Sequence, residues 1–169
     1  MSATKVNEAA KKQVRQFFIQ LTLIFIGFLA SIVLFMVSSV VVVASADPKS
    51  HDLDMVMLIS APLSSMALIL MANRLFAARL RPAKNAEKLY QKMDAYRGAT
   101  LLRFMLLDGA AFLQLIAFFL TENRVFLLIA FVIATLFLLY RPSMDRFIRD
   151  MELSSLETRV MRDLDRKEA

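Results

Sequence analysis

The sequence predicts an all-α membrane protein with four transmembrane helices. Of the 169 residues, 58% are hydrophobic and only 21% are charged, a balance more apolar than that of ordinary soluble domains. The charged residues are gathered into short stretches that leave four long apolar segments between them. The absence of Cys and the presence of one His exclude a disulfide framework, a thiolate metal site and a bis-histidine haem.

The first two apolar segments predict the first two spans. Residues 16–46 carry no charge over 31 positions, whereas a helix needs about 20 residues to cross a hydrocarbon core of about 30 Å. We predict a first span at about 17–46. A second uncharged stretch predicts a second span at about 55–76, in which Pro62 favours a kink.

The start of the chain also has an alternative interpretation as a signal peptide. Ala44-Ser45-Ala46 follows a basic stretch and a long apolar region, and it is similar to a small-residue cleavage site. A signal h-region has about 7–15 residues, so the length of this apolar region favours a span.

The remaining apolar segments predict two further spans. The third, at about 101–121, contains Asp108 as the one charge beyond Arg103. The fourth, at about 125–140, has 16 residues and measures about 24 Å as a helix. We therefore expect Arg141 to lie at the membrane interface. Residues 16–141 form the predicted four-helix transmembrane domain.

The distribution of basic residues predicts the orientation. Nineteen Lys and Arg residues lie before the first span, from Arg74 to Arg103, or from Arg141 on, and two lie in the other loops. By the positive-inside rule, both termini are cytoplasmic (N-in/C-in). The lack of Cys and of glycosylation sequons favours a bacterial cytoplasmic (inner) membrane.

The segments outside the spans predict amphipathic cytoplasmic helices. Residues 1–15 form a cytoplasmic N-terminal segment, and a helix is expected at about 82–98, with Pro82 at its first position and Gly98 as a possible break before the third span. One face of this helix is apolar, and the other carries lysines that favour either solvent or lipid headgroups. The headgroup candidates are Lys84, Lys88 and Lys92.

Residues 142–169 predict a cytoplasmic helical tail. Met144, Phe147, Ile148 and Met151 have helical spacing, and Ser154 with Glu157 three residues later is typical of a capping box that opens another helix. Acidic and basic residues alternate in this tail, which favours a solvated helix or one docked on a partner.

Small and polar residues recur on one face of several spans. Because the hydrophobic effect does not drive helices together in lipid, such faces are the usual sites of close helix packing. A path lined by hydroxyls is the alternative. The predicted packing residues are Gly27, Ser31, Ser38, Ser60, Ser64, Ala130 and Ala134.

Asp108 is the candidate intramembrane polar site. It lies about 7.5 Å along the helix axis from Arg103, and an unpaired carboxylate in hydrocarbon is costly. Arg74 and Arg141 end the second and fourth spans and are its predicted partners. Gln114 is a further polar residue, about 120° from Asp108 around the helix. The alternatives for Asp108 are a structural ion pair, a role in proton, ion or substrate handling, and snorkelling to headgroups.

The outer loops predict no sensing domain, because they are short. His51 lies among three aspartates in the first loop, so a weak cation site or a pH-sensitive patch is an alternative to a solvated acidic loop.

The sequence contains no motif for a metal, a nucleotide, a cofactor or a covalent nucleophile. We therefore predict a protein that is not an enzyme and acts by association, as an accessory or structural subunit of a larger inner-membrane complex or as a homo-oligomer. Its expected partners are membrane lipids and other subunits or copies of itself, without nucleic acid. The first alternative is a small oligomeric transporter or channel in which Asp108, with Arg74 or Arg141, binds a proton or an ionic substrate. The second is a lipid-modifying enzyme with its site at the cytoplasmic boundary.

Overall fold

The computed structural model describes residues 3–45, 54–86 and 89–166. Within these ranges the chain is all-helical and contains no strand. The six helices are α1 (Ala3–Ser45), α2 (Asp54–Lys84), α3 (Leu89–Thr121), α4 (Arg124–Leu139), α5 (Met144–Asp150) and α6 (Ser155–Arg166).

The number of possible spans is three or four. Helices α1, α2 and α3 are each long and apolar enough to cross a membrane. Helix α4 has 16 residues and reaches the length of a span only together with α5, from which it is separated by a bend of 84°. Three of the predicted spans are therefore confirmed as candidates by length and composition, and the fourth depends on this bent pair.

The structure differs from the separate helix predicted at 82–98. Helix α2 continues through Pro82 as far as Lys84, and α3 passes Gly98 without a break. Packing explains the difference, because the apolar side chains on both sides of the connection contribute to one core and so hold both long helices in place. These side chains are Leu80 and Ala83 of α2 and Leu89, Met93 and Tyr96 of α3.

Helix α3 is the central element and packs against α1, α2 and α4. At the level of the apolar spans, its Phe104 ring lies 5.5 Å from the Phe25 ring of α1 and 5.1 Å from the Phe137 ring of α4. Phe25 and Phe137 are themselves stacked at 5.1 Å. These three rings, together with Ala111 and Ala130, form what we call the membrane-level core.

A second core lies where α2 ends and α3 begins, and where α5 and α6 pack. We call this part of the molecule the basic end. The Phe147 ring of α5 is fully buried and lies 5.0 Å from Tyr96, 6.1 Å from Phe18 and 6.2 Å from Phe17. Met161 of α6 is also fully buried in this core. The tail is thus docked on the chain's own long helices.

Local capping fixes where the two tail helices begin. The predicted capping box is confirmed: the backbone N–H of Ser154 donates to Glu157 Oε2 at 2.9 Å, and the N–H of Glu157 donates to Ser154 Oγ at 3.3 Å. Ser143 caps α5 in the same way, because its Oγ accepts from the N–H of Arg146. These caps satisfy N–H groups that have no partner within their helices.

Candidate functional site

Asp108 lies in an open groove between α1 and α3. The groove has a volume of about 380 Å³ and is lined by Gly27, Phe28 and Ser31 of α1 and by Asp108 and Phe112 of α3. Ser31 Oγ donates to Asp108 Oδ1 at 3.1 Å, and it also lies 2.6 Å from the carbonyl oxygen of Phe28. One hydroxyl hydrogen therefore serves two acceptors, and among the described residues the carboxylate is only weakly satisfied.

The predicted ion pair between Asp108 and Arg74 or Arg141 is not formed within the described part of the chain. Both arginines are exposed, and the hydrogen bond of Asp108 comes from Ser31. The reason is the rotation of α3, which places Asp108 beside α1. Its neighbour Gly109 faces Leu68 of α2 instead.

Arg103, near the start of the third apolar segment, forms the polar contacts that join the helices in this part of the chain. Its Nη2 donates to Asn73 Oδ1 at 2.6 Å, and its guanidinium carbon lies 3.5 Å from the centre of the Tyr140 ring and 4.6 Å from that of Phe76. The Tyr140 hydroxyl donates to the same Asn73 oxygen at 3.3 Å. These contacts join α2, α3 and the end of α4. Sequence reasoning missed these contacts. Asn73 and Tyr140 end their apolar segments and Arg103 precedes its own, so all three lie on the same predicted side of the membrane.

Gln114 forms a separate polar contact in the interior. It is fully buried; its Nε2 donates to Ser65 Oγ at 2.8 Å, and Ser65 Oγ donates to the carbonyl oxygen of Ala110 at 3.0 Å. Gln114 Oε1 has no hydrogen-bond partner among the described residues. This contact joins α2 to α3 and, as expected from the helix period, does not include Asp108.

The predicted packing faces of α1 and α2 are not the faces that pack inside the chain. Gly27, Ser38, Ser60 and Ser64 are exposed, and Ser31 is half-buried. The inward positions are instead Leu21, Phe25, Ile32 and Ser39 of α1 and Ala61, Ser65 and Ala72 of α2. Large side chains make more dispersion contacts than small ones, so the aromatic and aliphatic face of α1 occupies the core. The small and polar stripe of α1 is left on the outside, beside Asp108.

The packing residues predicted on α4 lie inside the chain. Ala130 is fully buried and Ala134 is 9% exposed, and both belong to the apolar cluster that includes the membrane-level core. Their small side chains lie next to Phe137 on the same face of α4.

The predicted headgroup lysines are directed to the tail instead. Lys92 is buried, and its Nζ lies 2.7 Å from Glu157 Oε1, while Lys84 Nζ lies 2.6 Å from Glu152 Oε1. The docked tail supplies these acidic groups, so each of these two lysines has an acidic partner within the chain. The hydrogen bond from Lys92 holds the pKa of the Glu157 carboxyl below its usual value. Lys88 lies outside the described residues.

Within the described ranges, no group of three or more His, Asp or Glu side chains is placed to hold a metal ion. The loop that contains His51 lies outside these ranges. Comparison of the chain with protein-family models, with curated proteins and with solved structures gave no match.

Proposed function

We propose that the chain is a non-catalytic integral membrane protein that acts by association, as a subunit of an inner-membrane complex or as a homo-oligomer. The observation that carries this proposal is the outward position of Asp108 in the groove between α1 and α3. A carboxylate about one turn inside the apolar span is costly when it faces lipid. A second protein surface in the groove would cover it and supply a partner.

The surface beside Asp108 is suited to close helix approach. Gly27 and Ser31 line the groove and are spaced four residues apart, and a Cβ added to Gly27 would meet nothing within 4 Å. Gln20 and Ser38 continue the same exposed stripe along α1. Glycine and serine at this spacing let two helix backbones approach and bond across the contact in lipid.

The same proposal places both termini in the cytoplasm. The basic end carries most of the Lys and Arg residues, and positively charged segments are retained on the cytoplasmic side. The docked α5 and α6 helices would then be the part of the chain that soluble partners reach.

The test is native mass spectrometry of the complex extracted in mild detergent from its native membrane, with identification of every co-purifying chain. We expect a fixed stoichiometry with other subunits or with further copies. The change Gly27→Leu, which fills the groove, should lower the associated fraction at least about tenfold. The control is Gly98→Leu, which should leave the associated fraction unchanged, because Gly98 lies outside the groove. An added Cβ would meet nothing within 4 Å at either glycine, so we expect both variants to fold. A lone monomer, or equal effects of the two changes, would contradict the proposal.

The alternative transport function retains Asp108 as its proton or ion ligand, without a direct contact to the two arginines first expected beside it. The change Asp108→Asn in reconstituted vesicles separates the two functions. Loss of a proton or ion flux that the wild type supports would favour transport, while the absence of flux from both forms would favour association.

A further inference from the structure

A cavity of about 430 Å³ lies at the basic end, between the last turns of α2 and the end of α5. One wall is apolar and is formed by Phe76, Ala77 and Leu80. Arg81 and Arg149 also line the cavity, and both are exposed. The cavity therefore offers an apolar surface next to positive charge.

Asp150 contributes a carboxylate to the same cavity. Its side chain is only 21% exposed, and among the described residues its one ion pair is with Arg149, at 3.9 Å between Nε and Oδ1. This distance is too long for a hydrogen bond. A carboxylate that is mostly buried and lacks a close donor is incompletely satisfied, so a ligand that brings N–H donors would gain strong hydrogen bonds there.

The two other charged groups of the lining neutralise each other. Lys84 Nζ and Glu152 Oε1 are 2.6 Å apart, and this pair closes the wall between α2 and the turn after α5. Within the lining, the charges that remain for a ligand are the two guanidinium groups and the Asp150 carboxylate, which also interacts with Arg146 and Arg103. This set is complementary to a molecule that carries an anion and a cation close together.

The inner edge of the cavity lies at the depth expected for lipid headgroups. Asn73 ends the uncharged stretch of α2, and Ala77 and Arg81 follow it by about 6 Å and about 12 Å along the helix axis. The headgroup layer occupies about 5–8 Å on each side of the hydrocarbon core. The inner edge of the apolar wall therefore lies beside the headgroup layer, and Arg81 lies beyond this layer but reaches back to it through its long side chain.

We propose that this cavity binds the headgroup of a phosphatidylethanolamine-type lipid. Arg81 and Arg149 bind the phosphate, Asp150 accepts hydrogen bonds from the primary ammonium, and the glycerol region of the lipid lies along Phe76 and Ala77. A primary ammonium has three N–H donors, whereas the quaternary ammonium of phosphatidylcholine has none and phosphatidylglycerol has no cation. This proposal is independent of association through Asp108, which lies in a different groove.

The experiment uses the full chain in vesicles of equal parts phosphatidylethanolamine, phosphatidylglycerol and phosphatidylcholine. After extraction in mild detergent, the lipids retained on the protein are identified by native mass spectrometry. We expect phosphatidylethanolamine to be enriched about tenfold over each of the other two, which is the effect of one charge-assisted hydrogen bond. Equal retention of the three lipids, or preferential retention of phosphatidylglycerol, would overturn the proposal.

A matched pair of variants tests the role of the carboxylate. Asp150→Asn should abolish the enrichment, whereas Asp145→Asn, at an exposed position in the first turn of the same helix, should preserve it. Should Asp150→Asn fail to fold, the wild type decides the question with a series of phosphatidylethanolamines that carry zero to three N-methyl groups. Retention should fall as N–H donors are removed, and a flat series would overturn the proposal.

Discussion

The membrane-level core and the basic-end core are both built from phenylalanine rings, but they lie in different surroundings. Phe137 packs with Phe25 and Phe104 among helices whose outer faces are apolar. In the most apolar stretch of α1, only 11% of the residues are buried within the chain. Phe147 of α5 packs with Tyr96 of α3, and the two short helices of this core, α5 and α6, are rich in charged residues. Burial from lipid brings packing contacts without a hydrophobic gain, while burial from water brings both. The same residue type should therefore contribute differently in the two cores.

The largest expected effect comes from truncating the ring at the basic end. Phe147→Ala should lower the free energy of unfolding by about 3–5 kcal/mol, because it removes a fully buried ring from a water-facing core. Phe137→Ala leaves a cavity of the same kind but should cost less, because lipid solvates the ring in the reference state. Unfolding in bicelles, measured for both variants, checks this ranking. Equal losses would show that the two cores experience the same solvent.

The next effect tests the contact that joins the two regions. Arg103→Lys keeps the charge but loses the planar donor that bonds Asn73 while lying against the Tyr140 and Phe76 rings. We expect a loss of about 1–3 kcal/mol, the range of a charge-assisted hydrogen bond with ring contacts.

The control is Arg97→Lys, at an exposed position on the same helix, which should change the free energy of unfolding by less than about 0.5 kcal/mol. The same bicelle unfolding measurement serves for both. A small effect at Arg103 would show that its ring contacts contribute nothing beyond charge.

A smaller effect is expected from the polar contact at membrane level. Ser65→Ala leaves Gln114 Nε2 without its acceptor, and buried side-chain hydrogen bonds in membrane helices contribute about 0.6 kcal/mol on average. In a double-mutant cycle with Gln114→Leu, we expect a coupling of about 0.5–1 kcal/mol. A coupling near zero would mean that this bond merely satisfies two polar groups without stabilising the chain.

Most of the fold could be predicted because its signals are local or one-dimensional. An uncharged stretch and the Ser154–Glu157 spacing each depend only on residues of a single helix. The long helices and the capping box can therefore be predicted from the sequence alone. The end of α2 near Pro82 could not be predicted in this way, because a core formed with residues of α3 and α5 holds the helix together beyond its local stop signal.

The partners of the candidate site residues could be predicted less well. A helical wheel gives the relative angles of Asp108 and Gln114, but not which neighbour each one faces. The inward face of α1 is set by aromatic packing against Phe104 and Phe137, which a rule based on small residues does not consider. Likewise, the acidic groups that bind Lys84 and Lys92 come from residues more than 60 positions away.

The smallest effect concerns the attachment of α6 through Lys92 and Glu157. Because this hydrogen bond lowers the pKa of Glu157 in the folded chain, its contribution is complete above the usual glutamate pKa of about 4.3. It is lost as the pH falls through the lowered folded value. The chain has no Cys, so a spin label at Arg162→Cys, an exposed site on α6, reports the attachment directly. Label mobility should rise on acidification, as the Glu157 carboxyl is protonated and its ion pair with Lys92 is lost.

Glu157→Gln separates the ion pair from the helix cap. Glutamine can still accept from the Ser154 N–H in the capping box, but it has no charge for Lys92 and does not titrate. The label in this variant should be more mobile than in the wild type at neutral pH, and its mobility should not change between pH 7 and the acid range. A variant with the same acid transition as the wild type would assign the pH dependence to another carboxylate, and α6 would then be held by Met161 and the apolar contacts of the basic-end core.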